Sequence, residues 1–191
     1  PARVTVTRRP AQHPDGVSHH NRANVVCHGT SFRCTVGSGC RGGAVVGASG
    51  WEYYVPYQED LGAALDALRQ EVFEAQDYYW DPWDEDDADE ARARPSTIHQ
   101  LWEDEQVQEE GTHSILDMHR ILRPGEDPDY GTVQPVQPVE AYRTAGTDRL
   151  TRAHVQAMAP LARRRWFGRC AVLHDAHGRP EEIYFWGFSG D

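Results

Sequence analysis

The apolar pattern of this chain starts at Trp51. The run WEYYVPY, residues 51–57, is aromatic and β-prone and predicts a strand, with Pro56 marking an edge or a bulge. In EDLGAALDALRQEVFEAQ, Leu61, Leu65, Leu68 and Val72 recur at i, i+4, i+7 and i+11. That spacing predicts a helix with one apolar stripe, and Asp60 is placed to accept hydrogen bonds from its first turn. A second helix starts in STIHQLWEDEQVQ, where Thr97 and Gln100 match a capping box, Ile98, Leu101 and Trp102 share a face, and Gly111 ends the pattern.

Beyond Gly111 the periods are shorter. THSILDMHRIL fits a strand or a helix, and RPGEDPDYG is a loop by its Pro, Gly and Asp content. TVQPVQP reads as polyproline II or an edge strand. PVEAYRTAG is a short helix with Pro138 at its first position and Gly146 just past its end. LTRAHVQAMAPLARRR predicts a third main helix, capped by Thr151 and perturbed by Pro160. WFGRCAVLHD and EEIYFWGFSGD, joined around Gly178, form a hairpin. The expected fold is α+β: an antiparallel sheet ending in this C-terminal hairpin, with about three helices packed on one face. Its core should hold Leu61, Leu65, Leu68, Val72, Trp102, Val172, Ile183 and Phe185.

Composition divides the chain of 191 residues in two. Residues 1–49 carry six Arg and one acid, while residues 50–191 carry thirteen Arg and 29 acids. The first segment is rich in Gly, Ser, His, Arg and Pro and shows no sustained period. It is expected to be disordered, or a non-native segment from a misplaced start upstream of Val45 and Val46. The acidic domain is expected to span residues 50–191. GSGCRG, Gly37 to Gly42, fits a dinucleotide-binding glycine pattern but lacks the helix that must follow. Cys27, Cys34 and Cys40 are spaced too widely for a usual zinc site, and Cys170 sits in an apolar run.

WEYYVPYQEDLGAALDALRQEVFEA, GTHSILDM and EIYFWGFSGD resemble segments of short uncharacterised proteins from GC-rich actinobacteria, over about residues 50–191. A basic complement made entirely of Arg, with no Lys, agrees with a GC-rich source. That group has no known activity, so the resemblance implies no functional residue.

Two places could carry function. In DYYWDPWDEDDADE, residues 77–90, rings run into acids. Trp80 and Trp83 beside Asp81, Asp84, Glu85, Asp86, Asp87 and Asp89 could attract a basic protein and anchor it. The leading expectation is therefore a small acidic cytoplasmic protein that binds a basic protein partner, of immunity, antitoxin or nucleic-acid-mimic type. The alternative is a hydrolase-like enzyme using His113, Asp117 and His119, with or without a divalent metal. On a strand these three share a face. On a helix only His113 and Asp117 meet. His174, Asp175 and His177 read as turn residues, and Arg163, Arg164, Arg165 and Arg169 as partners for the domain's own acids. No motif calls for a cofactor. Nucleic acid is a poor partner for so acidic a domain, and no run of residues is long and apolar enough to predict a membrane helix.

Overall fold

The computed structural model describes residues 49–82 and 91–190. The expectation for residues 1–49 therefore falls, but for Ser49, outside the described residues. Five strands form one sheet: β1 (Gly50–Pro56), β2 (Arg120–Ile121), β3 (Thr132–Pro135), β4 (Phe167–His174) and β5 (Pro180–Phe188), in the order β1-β5-β4-β3-β2. The pairs β1–β5 and β4–β5 are antiparallel, as the hairpin requires, with Gly178 at φ 75° in its turn. The pairs β3–β4 and β2–β3 are parallel. The sheet is therefore mixed, which corrects the antiparallel expectation. TVQP is also no edge, because β2 covers its far side.

The helices are α1 (Leu61–Glu74), α2 (Ile98–Glu103), α3 (Glu105–Glu110), α4 (Pro138–Ala145) and α5 (Val155–Met158). Asp60 accepts from the N–H groups of Gly62 and Ala63 at 2.8 and 3.1 Å, as the sequence predicts for an N-cap. Thr97 caps α2 through the Gln100 N–H at 3.1 Å. The predicted second helix is split at Asp104, whose extended backbone ends α2 and whose side chain caps α3 through the Val107 N–H. The predicted third main helix is three short pieces: a 3₁₀ turn (Arg152–His154), α5, and a second 3₁₀ turn (Ala159–Leu161). Pro160 has no N–H with which to continue α5, and His154 turns its ring back onto the Thr151 N–H at 3.0 Å.

Helices cover both faces of the sheet, not one. On one face Trp51, Tyr53, Val55, Ile183 and Phe185 meet Leu65, Leu68 and Val72 of α1, with Leu101 and Val107 from α2 and α3. On the other, Ala171, Leu173, Tyr184 and Trp186 meet Ala141 of α4 and Val155 and Met158 of α5. Of the expected core, Leu65, Leu68, Val72, Ile183 and Phe185 are buried, whereas Leu61, Trp102 and Val172 are only partly so. Gly168 and Gly187 pair across β4 and β5 beneath the Trp51 ring. A Cβ on Gly187 would lie 2.5 Å from that ring and 2.7 Å from the Phe167 carbonyl oxygen, so the glycine is a packing requirement here.

Candidate functional site

The end of the sheet where β5 finishes and β4 begins carries a cleft. Its floor is Asp117, in the 3₁₀ turn Ile115–Asp117. Ser114 starts that turn, its hydroxyl accepting from the Leu116 N–H at 3.2 Å. The Thr112 N–H and hydroxyl both donate to Asp117 Oδ1, at 2.7 and 2.8 Å, and the Thr112 and Ser114 hydroxyls are 2.8 Å apart. Asp117 is 3% exposed. The buried Ser189 hydroxyl, just past β5, acts on the same carboxyl group as a hydrogen-bond partner. Burial nevertheless dominates and raises the Asp117 pKa above the usual carboxylate range, against the opposing pull of Ser189, Thr112 and Ser114.

Aromatic rings wall the cleft, which holds about 330 Å³. Trp102 of α2 lies 4.6 Å from the His119 ring, His119 is 5.9 Å from Tyr130, and Tyr130 is 4.9 Å from Trp166, centroid to centroid. The Trp102 indole N–H donates to the Leu116 carbonyl at 2.7 Å, which fixes that ring beside the turn. Trp166 has φ 63°, a left-handed conformation that costs a bulky residue free energy. Its backbone is held there from two sides: its N–H donates to the Phe188 carbonyl at 2.8 Å, and its carbonyl accepts from the Gly131 N–H at 2.9 Å. Gly111, at φ 82°, lets the wall meet the floor. A Cβ there would lie 2.8 Å from the Trp166 ring and 3.1 Å from Asp117 Oδ2.

Arg69 of α1 braces the far side. Its guanidinium donates to the Met118 and His119 carbonyls at 2.8 and 2.6 Å, pairs with Asp66, and lies 5.1 Å from the Trp102 ring centroid. His119 remains open to solvent as a residue, yet desolvation of its ring and the nearby Arg69 charge lower its imidazole pKa. Burial and the Asp117 charge raise that of Tyr130. Both shifts run toward the uncharged form, the carboxyl upward and the imidazole downward.

Of the three residues suspected as an enzyme site, Asp117 and His119 line this cleft. His113 is not among its lining residues. It is left-handed at φ 52°, stacks on Tyr79 at 4.7 Å, and its Nδ1 is 3.3 Å from the Ser49 hydroxyl. Among the described residues, no three His, Cys, Asp or Glu side chains gather into a metal-binding set. The sequence reading left out Trp102, Tyr130 and Trp166 as site residues. The signal available was three large rings beside polar or turn-rich segments, where no core period accounts for them.

The acidic aromatic stretch looks different from the rings that were to anchor a partner. Tyr78 is 9% exposed and stacks on Phe73 at 5.9 Å. Trp80 is partly buried against the first core cluster, with the Arg92 guanidinium 4.7 Å from its ring centroid. Arg92 itself is tied to Asp104 and Gln106, and its N–H donates to the Pro82 carbonyl at 2.6 Å. Asp81 is described; Trp83, Asp84, Glu85, Asp86, Asp87 and Asp89 lie outside the described residues. Elsewhere, Arg169 is buried and pairs with Glu140, and Asp175 accepts from the N–H groups of His177 and Arg179, so both remain structural. Among the described residues no helix is long and apolar enough to cross a membrane.

Comparison with models of known protein families, with curated proteins and with solved structures returned no match.

Proposed function

We propose that the Asp117 cleft is the working site of this domain. It binds a small organic molecule over the buried carboxyl group, and the chemistry its own residues can supply is proton transfer. The observation that carries this reading is a cleft of about 330 Å³ walled by Trp102, Tyr130 and Trp166, with the buried residue Asp117 among those that line it. A concave pocket lined mainly by rings with a few polar groups is the usual form of a small-molecule site. Thr112 and Ser114 position the carboxyl group. Asp117 supplies the buried carboxyl group, His119 an imidazole open to solvent, and Trp102 and Trp166 the walls.

The rival reading, a basic protein drawn to the acidic stretch, names Trp80 and Trp83 as anchors: Trp80 is partly buried, and Trp83 lies outside the described residues. Tyr78 is in the core, and Trp80 is partly covered by Arg92. Charge alone speaks for association rate and solubility rather than for an anchored interface.

A thermal-shift screen of small cations, neutral compounds and anions tests the proposal on the wild-type chain and on Asp117→Asn. A compound at a hundred times its Kd adds about 2.7 kcal/mol of stability, a shift of several degrees. The expected result is at least one compound that raises the wild-type midpoint and leaves Asp117→Asn unmoved. If no class of compound acts, or if both proteins respond alike, the cleft is not the site.

A further inference from the structure

The two indoles of the cleft are fixed in place. A Cβ at Gly111 would lie 2.8 Å from the Trp166 ring, and one at Gly190 would collide with it, so this indole fills space that a side chain would otherwise take. The left-handed backbone of Trp166, at φ 63°, holds the ring in that slot, and strain of this kind persists where a site needs a preset group. Trp102 is set by its indole N–H on the Leu116 carbonyl. His119 and Tyr130 complete the arc Trp102–His119–Tyr130–Trp166, with successive centroids 4.6, 5.9 and 4.9 Å apart.

Charge decides which class of ligand these rings receive. Of the described residues that line the cleft, only Asp117 and His119 ionise readily near neutral pH. Asp117 is buried, with Thr112 and Ser189 as its partners. His119 is pushed toward the neutral imidazole by burial of its ring and by the Arg69 charge. Neither is a ready counter-ion. Arg69 does not line the cleft, and it turns both Nη atoms to the Met118 and His119 carbonyls and to Asp66, which leaves an anion without a grip. A cation could gain from the ring faces, but the Arg69 guanidinium already lies 5.1 Å from the Trp102 centroid and repels a second positive charge.

Among uncharged ligands, a polyol brings many hydroxyls, and each one buried without a partner costs free energy. The solvent-facing polar residues of the lining are His119, Tyr130 and Gln108, and the Gln108 Nε2 already donates to the Trp102 carbonyl at 2.9 Å. A saturated hydrocarbon skeleton fills the volume, but flat rings in offset or edge contact attract one another beyond the area they cover.

We infer that the cleft takes an uncharged, flat aromatic or heteroaromatic molecule, which rests against Trp102, Tyr130 and Trp166 and turns a polar edge to His119 and Gln108 at the solvent side. This rests on the reading of the cleft as a small-molecule site. It adds a requirement for flatness and for zero charge that the broader reading does not need.

Titration calorimetry on the full chain at neutral pH separates the classes with five probes: 2-naphthol, its saturated analogue decahydro-2-naphthol, 2-naphthoate, trimethyl(2-naphthyl)ammonium and methyl glucoside. The flat alcohol is expected to bind at least about tenfold more tightly than each of the others, a difference of about 1.4 kcal/mol. Tyr130 is 46% exposed, so its variants test the wall with little risk to the fold, which circular dichroism checks. Tyr130→Phe should keep the binding of 2-naphthol, and Tyr130→Leu should weaken it severalfold. Equal binding of the saturated alcohol, or unchanged binding by Tyr130→Leu, overturns the flat-ring assignment. Tightest binding of either ion or of the glucoside, weakened in Tyr130→Leu, overturns the ligand class but leaves the small-molecule site standing. No binding of any probe at millimolar concentration overturns this assignment, and the broader thermal-shift screen then decides the small-molecule reading by itself.

Discussion

Two regions of this molecule are made from the same ingredients and differ in how they are closed. On the α4–α5 side of the sheet, Tyr54, Tyr184 and Trp186 stack in a ladder, with ring centroids 4.8 and 4.7 Å apart. The Tyr184 hydroxyl donates to Glu52 at 2.9 Å, and Arg152 lies 4.4 Å from the Tyr54 centroid and grips Glu182 through two hydrogen bonds of 2.6 and 2.5 Å. The Trp186 indole N–H is buried with no hydrogen-bond partner, so this ladder is held by stacking together with the Tyr184–Glu52 and Arg152–Glu182 contacts. The Asp117 cleft also has rings in contact, a carboxyl group and a guanidinium over an indole, but its rings leave a space of about 330 Å³. Paired polar groups among rings make a brace. The same groups set around a space leave a pocket.

The largest expected effect falls on the strand that joins the two regions. β5 sends Tyr184 and Trp186 to the ladder and Ile183 and Phe185 to the other core. Gly187→Ala would push a methyl into the Trp51 ring and against the Phe167 backbone, so the cost is about 3 kcal/mol, at the top of the usual overpacking range. Urea unfolding measures it. A loss below about 1 kcal/mol would mean that Trp51 can swing aside and that the two regions are not coupled through this strand.

A second test uses pH and probes the open region alone, where two groups act with opposite sign. The folded-state pKa of Asp117 is raised above its unfolded value, about 3.9. Its contribution to stability is therefore complete below that value and is lost as pH rises through the folded pKa. Wild-type stability should fall from about pH 4 upward because of this group, by at most about 1.4 kcal/mol per pH unit. Asp117→Asn should lack that fall. His119 acts in the opposite sense, since its folded pKa is lowered. Its contribution is complete above about pH 6.5 and is lost as pH drops toward the folded value. The difference between wild type and Asp117→Asn isolates the acid. If the two pH profiles run parallel, Asp117 is ionised in the folded chain and the cleft does not hold a proton donor.

Local chemistry made α1, its Asp60 cap, the α4 boundaries and the C-terminal hairpin readable, because each depends on residues close in sequence. The parallel pairing of β3 with β4 was not, because Thr132–Pro135 carries three polar or proline positions that look like an edge, and only distant pairing shows otherwise. One signal was present and unread. IYFWGF has no alternation, as expected of a strand buried on both faces, yet a one-sided sheet was inferred from it. At the site, Asp117 and His119 stood out by residue type, but the strand reading grouped them with His113. The chain in fact bends at Gly111 and His113, both at positive φ, and enters a 3₁₀ turn, so the period of two does not apply. Trp102, Tyr130 and Trp166 lie up to 64 positions apart in the numbering of the chain, and no local pattern could bring them together.

In the closed region, Tyr184→Phe removes a hydroxyl whose partner, Glu52, carries a charge. Hydrogen bonds to charged groups contribute about 1.5–3 kcal/mol, and Glu52 can regain some water, so about 1.5 kcal/mol is expected, measured by thermal unfolding. No change would show that the ladder stands on stacking alone.

The smallest effect on stability should come from the ring that most clearly belongs to the open region. Tyr130 is 46% exposed, sits in the loop before β3, and touches His119 and Trp166 by ring contact only. Its N–H is satisfied locally by the Asp129 side chain at 2.8 Å, so truncation leaves no backbone group unpaired. Tyr130→Ala should therefore change stability by no more than about 0.5 kcal/mol, the usual range for a surface substitution. Its cost should appear in binding instead, since one wall of the arc is gone and Asp117 becomes more accessible to water. Removing Tyr130 also lessens the burial that raises the Asp117 pKa, so the stability difference from Asp117→Asn across pH should shrink. A stability loss of several kcal/mol from Tyr130→Ala would place this ring with the brace, and the contrast between a closed and an open region would fail where it is drawn most sharply.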